Sequence, residues 1–156
     1  MASQMIESTL EEAAFYRNVA THRRLWTVRD EAGFPAPRTA SGQRAQPFWS
    51  TRTLAEWFMQ SVPAYRGLEV VEVPWDEFRD RWVPGFASAG ISIGADWTGP
   101  GLTGADYDGA WICECVEIEI ARIARTRSST AAPRARATRP AAKEPPAWLR
   151  RIFRRP

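Results

Sequence analysis

The stretch from Leu68 to Trp97 constrains this chain most, because its apolar spacing changes from strand-like to helical and back within one supersecondary unit. Leu68, Val70, Val71 and Val73 form a β-rich run. Trp75, Phe78, Trp82 and Phe86 follow at spacings of three and four, which puts them on one helix face. Ile91, Ile93, Ala95 and Trp97 then alternate with Ser92, Gly94 and Asp96 as along a half-buried strand. A strand–helix–strand unit carrying three tryptophans is a packing nucleus, since rings of this size dominate core energetics.

At 156 residues the chain suits one domain plus a tail. Eight Trp, seven Phe and three Tyr let such a domain dispense with disulfide staples. Cys113 and Cys115, the two cysteines, stand too close in sequence to close an unstrained disulfide, which points to a reducing, cytoplasmic setting. The start, MASQMIESTLEEAAFYRN, lacks the basic and apolar regions of a secretory signal, and no later run reaches the length of a membrane span. The net charge of +3 divides unevenly. Met1 to Ala124 holds 11 Arg against 17 Asp and Glu, net −6, whereas Arg125 to Pro156 holds 10 Arg and Lys against Glu144, net +9.

In chain order, Ser8 and Glu11 form a capping box that predicts a helix start there, running to about Arg23. Its buried stripe would be Ile6, Leu10, Ala13, Ala14, Tyr16 and Ala20, with Phe15 and Val19 on a second face. Leu25–Asp30 reads as a strand, and Glu31-Ala32-Gly33 as the turn of a hairpin returning near Phe34. Pro35 and Pro37 keep that return brief. Gln46–Trp49 is a further strand. Ser50 or Thr51 would cap a second helix that buries Leu54, Trp57 and Phe58 and stops at Pro63. Pro84-Gly85 should interrupt the third helix, and Thr98 to Gly104 reads as a loop. Asp108 to Arg127 mixes both periods and is assigned to helix.

Three parts result: a domain over residues 1–125, a disordered Pro/Ala/Arg-rich linker over 126–146, whose composition cannot bury enough apolar area to offset ordering entropy, and a short apolar-basic segment over 147–156. In that last segment Trp148, Leu149, Ile152 and Phe153 would share one side of a short helix, with Arg150, Arg151, Arg154 and Arg155 around the rest. This composition suits a tethered docking peptide for a partner protein or an anionic surface.

Candidate chemistry is sparse. Cys113-x-Cys115 offers two thiols where a structural zinc site wants four ligands, and the single histidine, His22, fits a helix C-terminus. Asp106-Tyr107-Asp108-Gly109 lacks the ordered ligands of a calcium loop and reads as a solvated loop. Gly99, Gly101 and Gly104 have neither the P-loop lysine nor dinucleotide spacing. Glu69, Glu72, Asp76, Glu77 and Asp80 bracket a helix start as solvated charge does. Trp97 stands apart, because it precedes a Gly-Pro loop at a strand end where an aromatic can be left partly exposed for a partner.

The body resembles the uncharacterised bacterial family called domain of unknown function 2750. The residues that carry the resemblance are Leu25-Trp26, Asp30-Glu31-Ala32-Gly33, Pro47-Phe48-Trp49-Ser50, Ala55-Glu56, Val73-Pro74, Phe78, Trp82-Val83-Pro84-Gly85, Gly90 and the strand to Trp97. They span roughly residues 10 to 110, and the arginine-rich tail lies outside the pattern. The order of elements is also similar to the N-terminal domain of the SseB family. Neither resemblance implies a catalytic residue.

The expected fold is α+β, a small, largely antiparallel sheet packed against three or four helices, followed by a disordered basic tail. No catalytic, cofactor-binding or metal-ligating residue is assigned, and no cofactor or small-molecule ligand is expected. The expected partner is another protein, contacted through Trp97 and the tail residues named above. An anionic membrane or nucleic acid is the tail's other possible surface, and a carboxylate-based hydrolase or transferase is the alternative from a different class.

Overall fold

The computed structural model describes residues 2–99 and 103–131; the segment from Trp148 to Arg155 lies outside them. The chain forms two units, Met1–Arg125 and Thr126–Pro156. The described part of the second unit, residues 126–131, is helical, where composition had placed the start of a linker.

The first unit is α+β. Helix α1 (Ala2–His22) leads into β1 (Arg24–Arg29), followed by β2 (Arg44–Phe48), α2 (Arg52–Ser61) and a 3₁₀ turn at Pro63–Tyr65. Then come β3 (Glu69–Pro74) and an unbroken helical stretch: α3 (Trp75–Glu77), a π turn (Phe78–Trp82) and α4 (Val83–Ala89). Strands β4 (Ile91–Thr98) and β5 (Thr103–Tyr107) precede α5 (Gly109–Ala131).

β1 pairs antiparallel with β3, β2 parallel with β4, and β4 antiparallel with β5. A single antiparallel bridge joins the two ladders: Trp26 N–H donates to Trp49 C=O at 2.8 Å and Trp49 N–H to Trp26 C=O at 2.7 Å. Pro47 has no N–H to extend that bridge, and its C=O accepts the hydroxyl of buried Thr27 instead, at 2.8 Å.

Strand alternation then sorts the core into two clusters. Leu25, Phe48, Val73 and Ile93 pack with Phe15 and Val19 of α1, with Trp75, Phe78 and Phe86, and with Ile112 and Val116 of α5. Val28, Ala45 and Trp49 pack with Ala55 and Phe58 of α2, Val62 and Tyr65. Each cluster buries several large side chains at roughly 1.5 to 3 kcal/mol apiece.

Trp97 breaks the alternation. Ile91, Ile93 and Ala95 belong to the first cluster, but Trp97 belongs to the second. The β4–β5 register shifts between Ala95 and Thr98, and Asp96 takes a left-handed backbone with φ 44°. This bulge turns the indole across the sheet to lie over Gly94, where a β-carbon would collide with the ring. Trp97 is 1% exposed, so the partial exposure expected for it is corrected: the bulge inserts it into the core.

Several boundaries also differ from the sequence expectation. Helix α1 begins before Ser8, so the capping box is not its start, and Leu10 is exposed while Phe15, Val19 and Ala20 are buried. The hairpin return near Phe34 does not form: Asp30 and Gly33 close a tight turn through the Asp30 carboxylate, and β1 takes β3 as its partner. Helix α2 is capped by Thr51, whose hydroxyl accepts from Leu54 N–H, and it leaves Trp57 half exposed. Pro84-Gly85 does not interrupt the third helix. The π turn just before Pro84 absorbs the missing donor, and the helix continues until Gly90 closes it with φ 64°. Residues 103–107, assigned in part to loops, form β5. The segment after Asp108 is helical, as expected.

Gly94→Ala should therefore destabilise the fold by about 3 kcal/mol, because the buried Trp97 ring has nowhere to move. A thermal melt checks this; an unchanged transition would contradict the ring-over-glycine packing.

Candidate functional site

At the bulge, α1, the start of α2 and the β4–β5 pair border a cleft of about 490 Å³. Its lining is mainly apolar, with Phe15, Leu54, Ala95 and Ala105 contributing, and three carboxylates, Glu11, Glu12 and Asp96, stand there with no Lys or Arg among the described lining residues. A second hollow, of about 500 Å³, lies along α4 and holds both Glu77 and Arg81, so its charges compensate one another. The first cleft is the site with an uncompensated character.

Asp96 is held there by the chain it helps to bend. Its carboxylate accepts from Ser50 N–H at 2.7 Å and from the Ser50 hydroxyl at 2.8 Å, and Asn18 Nδ2 donates to that hydroxyl at 3.2 Å. Burial holds the Asp96 carboxyl above the usual range; the Ser50 bonds pull it back and the nearby Glu11 charge adds to the rise. Around it, Trp49 Nε1 donates to Trp97 C=O at 3.0 Å and Trp97 Nε1 to Asp106 at 3.2 Å. Ser50 is 2% exposed and donates to Asp96, which leaves it neither reachable nor activated as a nucleophile.

Farther along the cleft, Tyr107 lies 6.4 Å from Tyr16 between ring centroids. Both hydroxyl oxygens are buried without a hydrogen bond of good geometry. Burial pushes Tyr16 up to about 12, and burial together with nearby Glu12 raises Tyr107 further. These phenols stay protonated at neutral pH.

Several other carboxylates are already engaged. Glu69 pairs with Arg29 at 2.8 Å, Glu72 with Arg24 at 3.0 Å, and Asp76 and Asp80 both with Arg79, while Glu77 accepts from Trp82 Nε1. Glu117 on α5 takes Arg79 and Trp75 Nε1 together, at 3.2 and 3.0 Å. By contrast, Glu11 and Glu12 meet no cation among the described residues.

Cys113 and Cys115 project from different sides of α5, the first packed against the main core cluster and the second beside Tyr16. Burial pushes Cys113 up to about 11 and Cys115 in the same direction, so neither thiol is activated. Among the described residues no group of His, Cys, Asp and Glu is arranged to hold a metal ion. His22 sits in the last turn of α1 with Nδ1 3.0 Å from Asn18 C=O. The partner contacts assigned to Trp148, Leu149, Arg150, Arg151, Ile152, Phe153, Arg154 and Arg155 fall outside the described residues.

The cleft residues Glu11, Glu12, Asn18 and Asp96, and Ser50 that holds Asp96, carry no motif that sequence reading singles out for chemistry. Glu11 was read as a cap and Ser50 as a helix start, and only the fold brings them beside Asp96. Asp96→Asn keeps an acceptor for Ser50 N–H in Oδ1 and removes the charge, while its Nδ2 can meet the Ser50 hydroxyl only as a donor, the reverse of the native bond. Because the folded state raises the Asp96 pKa, the wild type is favoured below the unfolded value and loses that advantage as pH rises through the folded one. Measured by urea unfolding, Asp96→Asn should gain stability relative to wild type as the pH rises above about 4, the unfolded aspartate value; a difference independent of pH would contradict the burial of the charge.

No described helix is long and apolar enough to cross a membrane. No curated protein matches the chain. A family model described as "Protein of unknown function (DUF2750)" matches residues 12–110, which holds β1 to β4, the bulge at Asp96 and the cleft residues from Glu12 to Ala105. The chain belongs to this DUF2750 family of proteins of unknown function.

Proposed function

We propose that the domain is a non-enzymatic, cytoplasmic binding module whose partner is another protein and whose contact site is the cleft at the β4–β5 bulge. The observation that carries this is the cleft's composition: an apolar floor with carboxylates that no described cation neutralises. Such a surface gains on burial against a complementary group.

Catalysis by carboxylates is the weaker reading. The buried carboxylate, Asp96, has both oxygens committed to Ser50, and the thiols and phenols nearby are held protonated. The apolar-basic segment at 147–156 enters the proposal as a second contact, suited by its composition to an anionic partner surface.

Ala105 lies on the cleft lining. Ala105→Trp should fill the cleft and abolish crosslinking of the domain to its partner proteins, with the circular dichroism spectrum unchanged. Retention of the same crosslinked partners by a folded variant would remove the cleft from the contact surface.

A further inference from the structure

The reading of the cleft as a partner site leaves open what enters it, and the chemistry of its walls narrows that choice. Phe15, Leu54, Ala95 and Ala105 offer apolar contact to a side chain several carbons long. Glu11 and Glu12 sit one after the other on α1, Glu12 half buried and Glu11 exposed, and Asp96 faces them from the bulge on β4. Elsewhere on the domain, arginines pair with several carboxylates: Arg24 with Glu72, Arg29 with Glu69, Arg79 with Asp76, Asp80 and Glu117. In the cleft no cation among the described residues pairs with the carboxylates. A lone anionic ligand would be repelled here, and a purely apolar one would desolvate carboxylates without pairing them.

The strand beside the cleft speaks for an extended peptide. β5 pairs with β4 on one side and is the edge of its sheet among the described residues, so a segment of a partner chain has a strand edge to run along. Ala105 and Tyr107, two residues apart on β5, both line the cleft, which is the spacing at which an added strand presents alternate side chains to one face. The opposite edge strand, β3, carries the charged residues Glu69 and Glu72 and ends in Pro74, which has no N–H to donate, features that blunt an edge against addition.

We infer that the cleft receives an extended segment of a partner protein that places an arginine or lysine between Glu11, Glu12 and Asp96, with the side chain's carbon stem lying on Phe15, Leu54 and Ala95. This rests on the cleft being the partner site. The cation supplies the neutralising charge that Glu69, Glu72, Asp76, Asp80 and Glu117 receive from arginines of the domain.

The test uses the full chain and three capped peptides of one β-favouring sequence that differ only in a central arginine, leucine or glutamate. Binding is followed by backbone amide shifts of Asn18, Ala95 and Ala105. The arginine peptide should bind about tenfold more tightly than the leucine peptide at low ionic strength. The gap should shrink at about 1 M salt, where the screening length is about 3 Å. The glutamate peptide should bind least. A folded Glu11→Gln, Glu12→Gln double variant should lose the preference for arginine and keep its affinity for the leucine peptide. Equal affinity for arginine and leucine peptides, or a preference unchanged in the double variant, would overturn the cationic assignment while leaving the cleft a partner site. If no peptide shifts a cleft resonance, both readings fall.

Discussion

The bond pair between Asp96 and Ser50 sets the arrangement of this domain. A strand continuing in register from Ile91 would put Trp97 on the same side as Ile93 and Ala95, where helices α1 and α5 already fill the first cluster. The left-handed turn at Asp96 sends the ring to the other side, against Trp49 and Phe58, and the two hydrogen bonds to Ser50 hold the turn. A left-handed backbone at a non-glycine residue costs of order 1–3 kcal/mol, and aspartate is among the residues that tolerate it best. Two charge-assisted hydrogen bonds, each worth about 1.5–3 kcal/mol, are enough to offset it. Trp49 then ties the halves together, since its backbone bridges β1 and its indole reaches Trp97 C=O.

The same bulge produces the site. By diverting Trp97 it leaves room between α1 and the β4–β5 pair, and by burying its own carboxylate it places a charge on the wall of that room. A neutral asparagine would still accept from Ser50 N–H, so the backbone bond that holds the turn does not by itself require an acid there. Glu11 and Glu12 require one still less, because they stand on a helix face with no arginine to meet them among the described residues. Fold and site thus make different demands at one residue, and the acidic character of the cleft is surplus to the fold.

Much of the fold was legible because it rests on local periodicity. The β3–helix–β4 unit, the second helix ending at Pro63 and the helical character of the segment after Asp108 follow from spacings of two, three and four. What was not legible depends on pairing across the chain. The return strand near Phe34 fails because Pro35 and Pro37 remove donors and β3 offers β1 a full partner. β5 was hidden by Gly104 and Asp106, poor strand formers that β4 nevertheless recruits. Trp97 and the cleft were illegible for one reason: the bulge is fixed by Ser50, 46 residues away, and no residue between them announces the contact.

The claim that Asp96 serves both the bulge and the cleft is tested most directly by carboxyl-carbon NMR of Asp96 over a pH titration, recorded with and without the arginine-bearing peptide. A midpoint above the ordinary aspartate value in the free protein, moving down when the cation is bound, is the result this structure predicts. An ordinary midpoint, unmoved by a peptide that binds, would contradict it.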